Sequence, residues 1–176
     1  MKGADWPGNF EIVNALENLH NPENKKSLQA IELEMHPVLE DPLPYPGNFA
    51  TVYKGKLKDD VYALKIFTQK KSDQMKRYRK LSKHFDDKKI FENYTYFTHF
   101  LYLQDAIKIN LTKKGQSALF PVIRMDWVEG KILENFIRDT DDPKIIKQIS
   151  DNFLKRNTVP VFMHAFGSSP KYTVPG

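Results

Sequence analysis

The sequence predicts an α+β fold, in which a mostly antiparallel sheet of about five strands carries one helix and is followed by further helices. Two β-type runs at residues 49–55 and 61–67 are joined by a mostly polar link of hairpin length. Apolar side chains between residues 73 and 85 recur at helical spacing, which is typical of a helix with one buried face. A chain of 176 residues with 40% hydrophobic content is long enough for one compact domain.

The elements before the hairpin are short. Apolar residues recur at helical spacing between residues 9 and 19, and we expect Asn9 to cap this helix. The alternation of apolar and charged residues at 31–35 predicts a half-buried strand that ends near Pro37.

The elements after the hairpin complete the sheet and then change to helices. We expect Ser72 or Asp73 to cap the helix that follows the hairpin. Three strands are predicted next, at residues 94–103, 106–111 and 118–127. Helices follow at 132–137 and from just after Asp141 or Asp142 to residue 154. This organisation predicts an N-terminal extension, a sheet-bearing lobe, the first helices of a second lobe and an irregular tail, at residues 1–41, 42–128, 129–156 and 157–176.

Composition excludes several classes of function. The absence of cysteine rules out a disulfide framework, a thiolate metal site and a cysteine nucleophile. The five histidines lack the spacing of a metal motif, so no metal site is expected. No apolar stretch approaches the roughly 20 residues that span a bilayer. We therefore expect a cytoplasmic protein without a membrane segment.

Two neighbouring segments resemble parts of protein kinases. Residues 45–55 are similar to the glycine-rich loop of that family, and residues 62–67, Tyr-Ala-Leu-Lys-Ile-Phe, to its lysine-bearing strand. Their order and spacing both agree with the family. Only the central glycine of three is retained, since Tyr45 and Ala50 stand at the other two places.

The resemblance implies an ATP site on this hairpin. By that resemblance Gly47 covers the phosphates, Val52 and Ala63 sandwich the purine, and Lys65 reaches the α- and β-phosphates. Kinases pair this lysine with a helix glutamate, but the only acid between residues 70 and 85 is Asp73. Glu92 is the alternative partner.

A third segment, residues 121–133, resembles the last small-lobe strand of a kinase as it runs through the hinge into the large lobe. The resemblance makes Met125 the gatekeeper. It also places the backbone C=O of Asp126 and the N–H of Val128 against the adenine edge, because unpaired backbone groups at a strand end are fixed donors and acceptors.

The motifs that carry kinase chemistry are missing. No His-Arg-Asp-like loop and no Asp-Phe-Gly motif occurs, and residues 164–167 stand where the catalytic loop should begin but lack its acid. The likeness covers about residues 42–155 and is nearest to a bacterial group of kinase-like domains that open with an Asp-Trp-Pro segment such as residues 5–7. It implies a pseudokinase or a truncated kinase that binds ATP without Mg²⁺, and it leaves enzymatic activity open.

A non-enzymatic interaction module is the alternative function. Residues 70–89 hold nine Lys or Arg and three Asp, a net charge of +6 that exceeds the +5 of the whole chain. Such a helix could dock an acidic protein or nucleic acid through Arg77, Arg79 and Lys80, with Tyr78 available to stack. A degraded gene product without a selected role is the third reading of the same residues.

Overall fold

The computed structural model describes residues 6–70, 73–93, 97–112, 115–130 and 133–156. The predicted irregular tail at 157–176, and with it residues 164–167, lies outside the described residues. The chain divides into two compact units, Met1–Trp127 and Val128–Gly176. The division falls next to the boundary that the sequence predicts after residue 128.

The first unit is built on one antiparallel sheet, as the predicted α+β class requires. Its strands are β1 (Glu32–Leu33), β2 (Pro44–Pro46), β3 (Ala50–Leu57), β4 (Asp60–Phe67), β5 (Phe100–Leu111) and β6 (Gln116–Asp126). The spatial order is β1, β3, β4, β6, β5, and β2 also pairs with β3. The N-terminal extension is therefore part of the sheet, because β1 pairs with β3.

The β3–β4 hairpin is regular and tight. The strands pair from Ala50 opposite Phe67 to Leu57 opposite Asp60, so only Lys58 and Asp59 form the turn. Lys58 has a φ of 57°, a left-handed conformation that two-residue hairpin turns require. Three of the five residues predicted as a polar link therefore belong to the strands.

The predicted break between strands 94–103 and 106–111 is wrong. Phe100–Leu111 is one strand, and its pairing with β6 shifts register between Leu103 and Ile107. Asp105 lies in this bulge with a φ of 49°. The polar residues that indicated a loop are absorbed as a β-bulge, which bends a strand without ending it. Residues 94–96 lie outside the described part of the chain.

Helices cover both faces of the sheet. On one face α1 (Asn9–Glu17) and α2 (Lys26–Gln29) pack against the sheet; on the other lie α3 (Gln74–Asp87) and α4 (Ile90–Asn93). Side chains alternate along β4, so Leu64 and Ile66 join the core with α1, whereas Phe67 joins the core with α3. Lys65 lies two residues before Phe67 on β4, so its side chain is on the α3 face as well.

The predicted cap of α1 is wrong, whereas that of α3 is at a predicted position but makes no side-chain capping bond. Gly8, not Asn9, is the N-cap of α1, and its N–H donates to the Glu11 carboxylate at 2.7 Å. The Asn9 side chain instead accepts a hydrogen bond from the buried Thr51 hydroxyl at 2.7 Å, which ties α1 to β3. Asp73 is the N-cap of α3, but with a φ of 59° its side chain makes no capping bond. Ser72 lies outside the described residues.

The second unit contains α5 (Leu133–Arg138) and α6 (Pro143–Arg156). The Asp142 carboxylate accepts a hydrogen bond from the Lys144 N–H at 2.8 Å, which explains why α6 begins where the sequence predicts. Within the described ranges, no helix combines the length and the apolar character needed to cross a bilayer.

Candidate functional site

Four of the predicted nucleotide-binding residues lie on one face of the sheet. Residues paired across antiparallel strands point to the same side. Val52 is opposite Lys65, and Ala63 is opposite Met125. Ala63 is buried, while the other three side chains are partly buried. The hairpin register and β6 thus bring these side chains together on the α3 side.

Gly47 forms the turn between β2 and β3. Its N–H donates to the Ala50 carbonyl at 3.0 Å, and a Cβ at this position would lie 3.0 Å from the same oxygen. A side chain there would require the Ala50 carbonyl to shift by a few tenths of an ångström, so glycine fits this tight loop. The Thr68 N–H donates to the Phe49 carbonyl at 3.0 Å, which anchors the loop beside the end of β4, two residues beyond Lys65.

Lys65 carries a partly buried charge without a carboxylate beside it. Burial lowers the pKa of its ammonium group. Its Nζ lies 6.0 Å from the centre of the Phe67 ring, and no carboxylate in the described part of the chain lies within ion-pair distance. Glu92 does not take the partner's role, because it pairs with Lys89 at 3.4 Å. The exposed Asp73 does not pair with Lys65 either.

Aromatic rings stand where the kinase resemblance places a helix glutamate. Tyr78 of α3 packs on Phe67, with ring centres 5.5 Å apart, and stacks almost parallel to Tyr102 at 6.5 Å. Burial raises the pKa of both tyrosines. The expectation that Tyr78 is available to stack on an outside ligand is wrong, because the amphipathic pattern of α3 turns it inward.

Trp127 is the residue of this site that the sequence reasoning missed. Its ring centre lies 5.3 Å from that of Tyr45 and 5.0 Å from the Lys54 ammonium nitrogen. Tyr45 is opposite Val52 on β3. Lys54, two residues further along β3, is opposite Ala63 and lies on the same face. The indole therefore lies over the surface where the resemblance places the purine. Trp127 follows Met125 by two residues and so lies on the same face of the sheet. This spacing is the signal by which the sequence could have identified it.

The two residues predicted to lie in a hinge, Asp126 and Val128, are placed differently from the four residues of the Lys65 face. Asp126 is exposed, is opposite Tyr62 on the other face of the sheet, and its N–H donates to the His99 carbonyl at 3.1 Å. Val128 is the first residue of the second unit, with an exposed side chain.

The basic surface of α3 is the second candidate site. Of the trio predicted for it, Arg79 donates from its guanidinium to the Gln104 side chain over β5. A concavity of about 380 Å³ is lined by Lys76, Arg77 and Lys80 together with Asp73. A second concavity, of about 220 Å³, lies beside α1 and is mostly apolar. The described residues contain no group of three or more acidic or histidine side chains placed to hold a metal ion.

The Lys65 face presents one ammonium group beside an apolar and aromatic surface. A partly desolvated ammonium favours a phosphate or carboxylate ligand, and Val52 and Ala63 offer a flat apolar contact. Comparisons of the chain with models of known protein families, with curated proteins and with solved structures found no match.

Proposed function

We propose that the first unit binds an adenine nucleotide on the Lys65 face, in a protein-kinase-like arrangement that does not itself complete phosphoryl transfer. The observation that carries the proposal is the Lys65 ammonium, which is partly buried and has no carboxylate partner in the described chain. It shares its sheet face with Val52 and Ala63 and lies near the Gly47 loop.

An unpaired, partly buried cation is costly unless it serves a ligand. Burial of a charge without a counter-ion disfavours the charged form, and evolution tolerates such groups mainly where a ligand supplies the opposite charge. The triphosphate of ATP supplies that charge. The Gly47 loop lets the backbone approach the phosphate oxygens, as in other phosphate-binding loops.

Phosphoryl transfer is not part of the proposal. It needs a carboxylate that orients the acceptor hydroxyl and oxygens that hold Mg²⁺, and the sequence lacks the two motifs that supply them. We therefore expect binding of ATP that depends little on Mg²⁺. The Trp127 indole must move, or give up its contacts with Tyr45 and Lys54, before the purine can reach Ala63.

Calorimetric titration of ATP, with and without Mg²⁺, tests the proposal. Lys65→Met should weaken binding at least about tenfold, because one charge-assisted contact to phosphate contributes about 1.5–3 kcal/mol. Lys56→Met is the matched control, since Lys56 is exposed on the same face of the hairpin but lies four residues, about 13 Å, along β3 from the Val52–Lys65 pair. It should bind ATP as the wild type does.

Two results would refute nucleotide binding at this site. One is the absence of any heat or thermal shift at ATP concentrations up to about 5 mM, which corresponds to a binding free energy weaker than about −3 kcal/mol. The other is an equal loss of affinity in the Lys65→Met and Lys56→Met variants, which would indicate general charge attraction.

A further inference from the structure

We propose that α3 binds the phosphate backbone of a duplex nucleic acid, without reading its sequence. The binding surface is the lysine row, defined as Lys76, Lys80 and Lys83, with Arg77 beside it. This inference is independent of nucleotide binding at Lys65.

The lysine row is a direct result of the amphipathic pattern of α3. Lys76, Lys80 and Lys83 are spaced four and three residues apart, so they follow one line of about 10 Å along the helix. All three are exposed. Phe85 and Ser82 are buried on the opposite side of the helix, which fixes the row outward.

The charge of the lysine row is not neutralised within the described protein. None of its three ammonium groups has a carboxylate within ion-pair distance in the described ranges, whereas the nearby Lys89 pairs with Glu92. Asp86 and Asp87 follow the row at the end of the helix. These carboxylates repel a phosphate and so limit the surface to the first two-thirds of α3.

An open concavity lies at the start of the row and is wide enough to admit a phosphate group. It has a volume of about 380 Å³ and is lined by Lys76, Arg77 and Lys80, with Asp73 as its one acidic member. The charges of Lys76 and Lys80 outweigh that of Asp73 and so provide a net positive potential for a phosphate group.

A duplex fits this face better than an acidic protein or a single strand. Cores of protein interfaces are depleted in lysine and rely on buried aromatic anchors. Single strands are bound by stacking of bases on exposed rings. Tyr78 and Phe85 of α3 both point into the core. Lysine contacts to phosphates supply non-specific duplex affinity without either feature.

Fluorescence anisotropy with a labelled 20-base-pair duplex of mixed sequence, over a range of salt concentrations, tests the inference. Phosphate contacts from the three lysines predict a slope of about −2.7 in log K against log salt concentration. Changing Lys76, Lys80 and Lys83 to Gln should reduce this slope to near zero and weaken binding at least about tenfold at low salt. The matched control changes three other exposed lysines, Lys25, Lys26 and Lys56, to Gln and alters the net charge equally.

The outcomes separate the proposal from its rivals, provided circular dichroism shows that both variants fold. A loss confined to the lysine-row variant, with the same affinity for unrelated duplex sequences, supports it. No binding by the wild type, an equal loss in both variants, or displacement of the duplex by polyglutamate at matched charge would overturn it.

Discussion

Replacing Lys65 by methionine should make the protein more stable at pH 7. Methionine retains most of the length of the side chain but removes the ammonium group, which is partly buried and has no carboxylate partner in the described chain. Relief of an unpaired, partly desolvated charge is worth about 1–2 kcal/mol. The contact of Nζ with the Phe67 ring, at 6.0 Å, opposes this with at most about 0.5 kcal/mol. A net gain of about 1 kcal/mol is expected.

The pH dependence of the free energy of unfolding tests the same prediction in a second way. The pKa of Lys65 is lowered in the folded protein, so between that value and the unfolded value of 10.5 only the unfolded chain keeps the proton. Stability of the wild type therefore gains a contribution from Lys65 as pH rises through this window. The advantage of Lys65→Met should shrink from pH 7 to pH 10.

Urea unfolding at both pH values, followed by tryptophan fluorescence, measures the two differences. Lys56→Met, which removes an exposed ammonium from the same hairpin, should change the free energy of unfolding by less than about 0.5 kcal/mol. The reasoning fails if Lys65→Met is less stable than the wild type at pH 7, because the ammonium would then have a stabilising partner. It also fails if the difference does not change with pH.

Three further substitutions have defined outcomes. Tyr53→Phe removes a buried hydroxyl without a hydrogen-bond partner among the described residues, and should stabilise the fold by about 1 kcal/mol in urea unfolding. Burial raises the pKa of Tyr53 to about 12, so above pH 10 the hydroxyl ionises more readily in the unfolded chain. The wild type should therefore lose stability as pH rises above 10, and the Phe variant should lack this contribution. Gly55→Ala would place a Cβ 2.5 Å from Ile31 Cγ2 and 3.2 Å from the Glu32 carbonyl, and should lower the free energy of unfolding by about 1–3 kcal/mol; an unchanged urea midpoint would contradict this. Trp127→Ala removes two contacts of about 0.5–1 kcal/mol each that a purine must displace, and calorimetry should show ATP binding about 5–30-fold tighter, whereas weaker binding would mean that the indole stacks on the base.

The hairpin and α3 were predictable because their signals are local. Alternation of side chains defines β3 and β4, and a polar turn joins them within a few residues. It was harder to predict that residues 100–111 form one strand, because a bulge at Asp105 places polar residues in its middle. Only pairing with β6 on both sides of the bulge decides that this is one strand.

The candidate site was predictable in part for the same reason. Because side chains alternate between the two faces along each strand, Val52, Lys65 and Met125 are placed on one face once the hairpin register is known. The partner of Lys65 was not predictable, because it depends on how α3 is rotated against the sheet. That rotation brings Tyr78 to Phe67 and leaves no helix carboxylate beside the ammonium.

The sequence by itself determined the α+β class, the order of hairpin, helix and later strands, and the basic character of α3, since each depends on spacing within one element. Tertiary structure alone decided which groups meet across elements. It placed the Trp127 indole against Tyr45 on the sheet face of Val52 and Ala63, paired Arg79 with Gln104 and left Lys76, Lys80 and Lys83 as one exposed row. The physical reason is that the angle and register between packed elements are fixed by side-chain packing over the whole core, which no local pattern encodes.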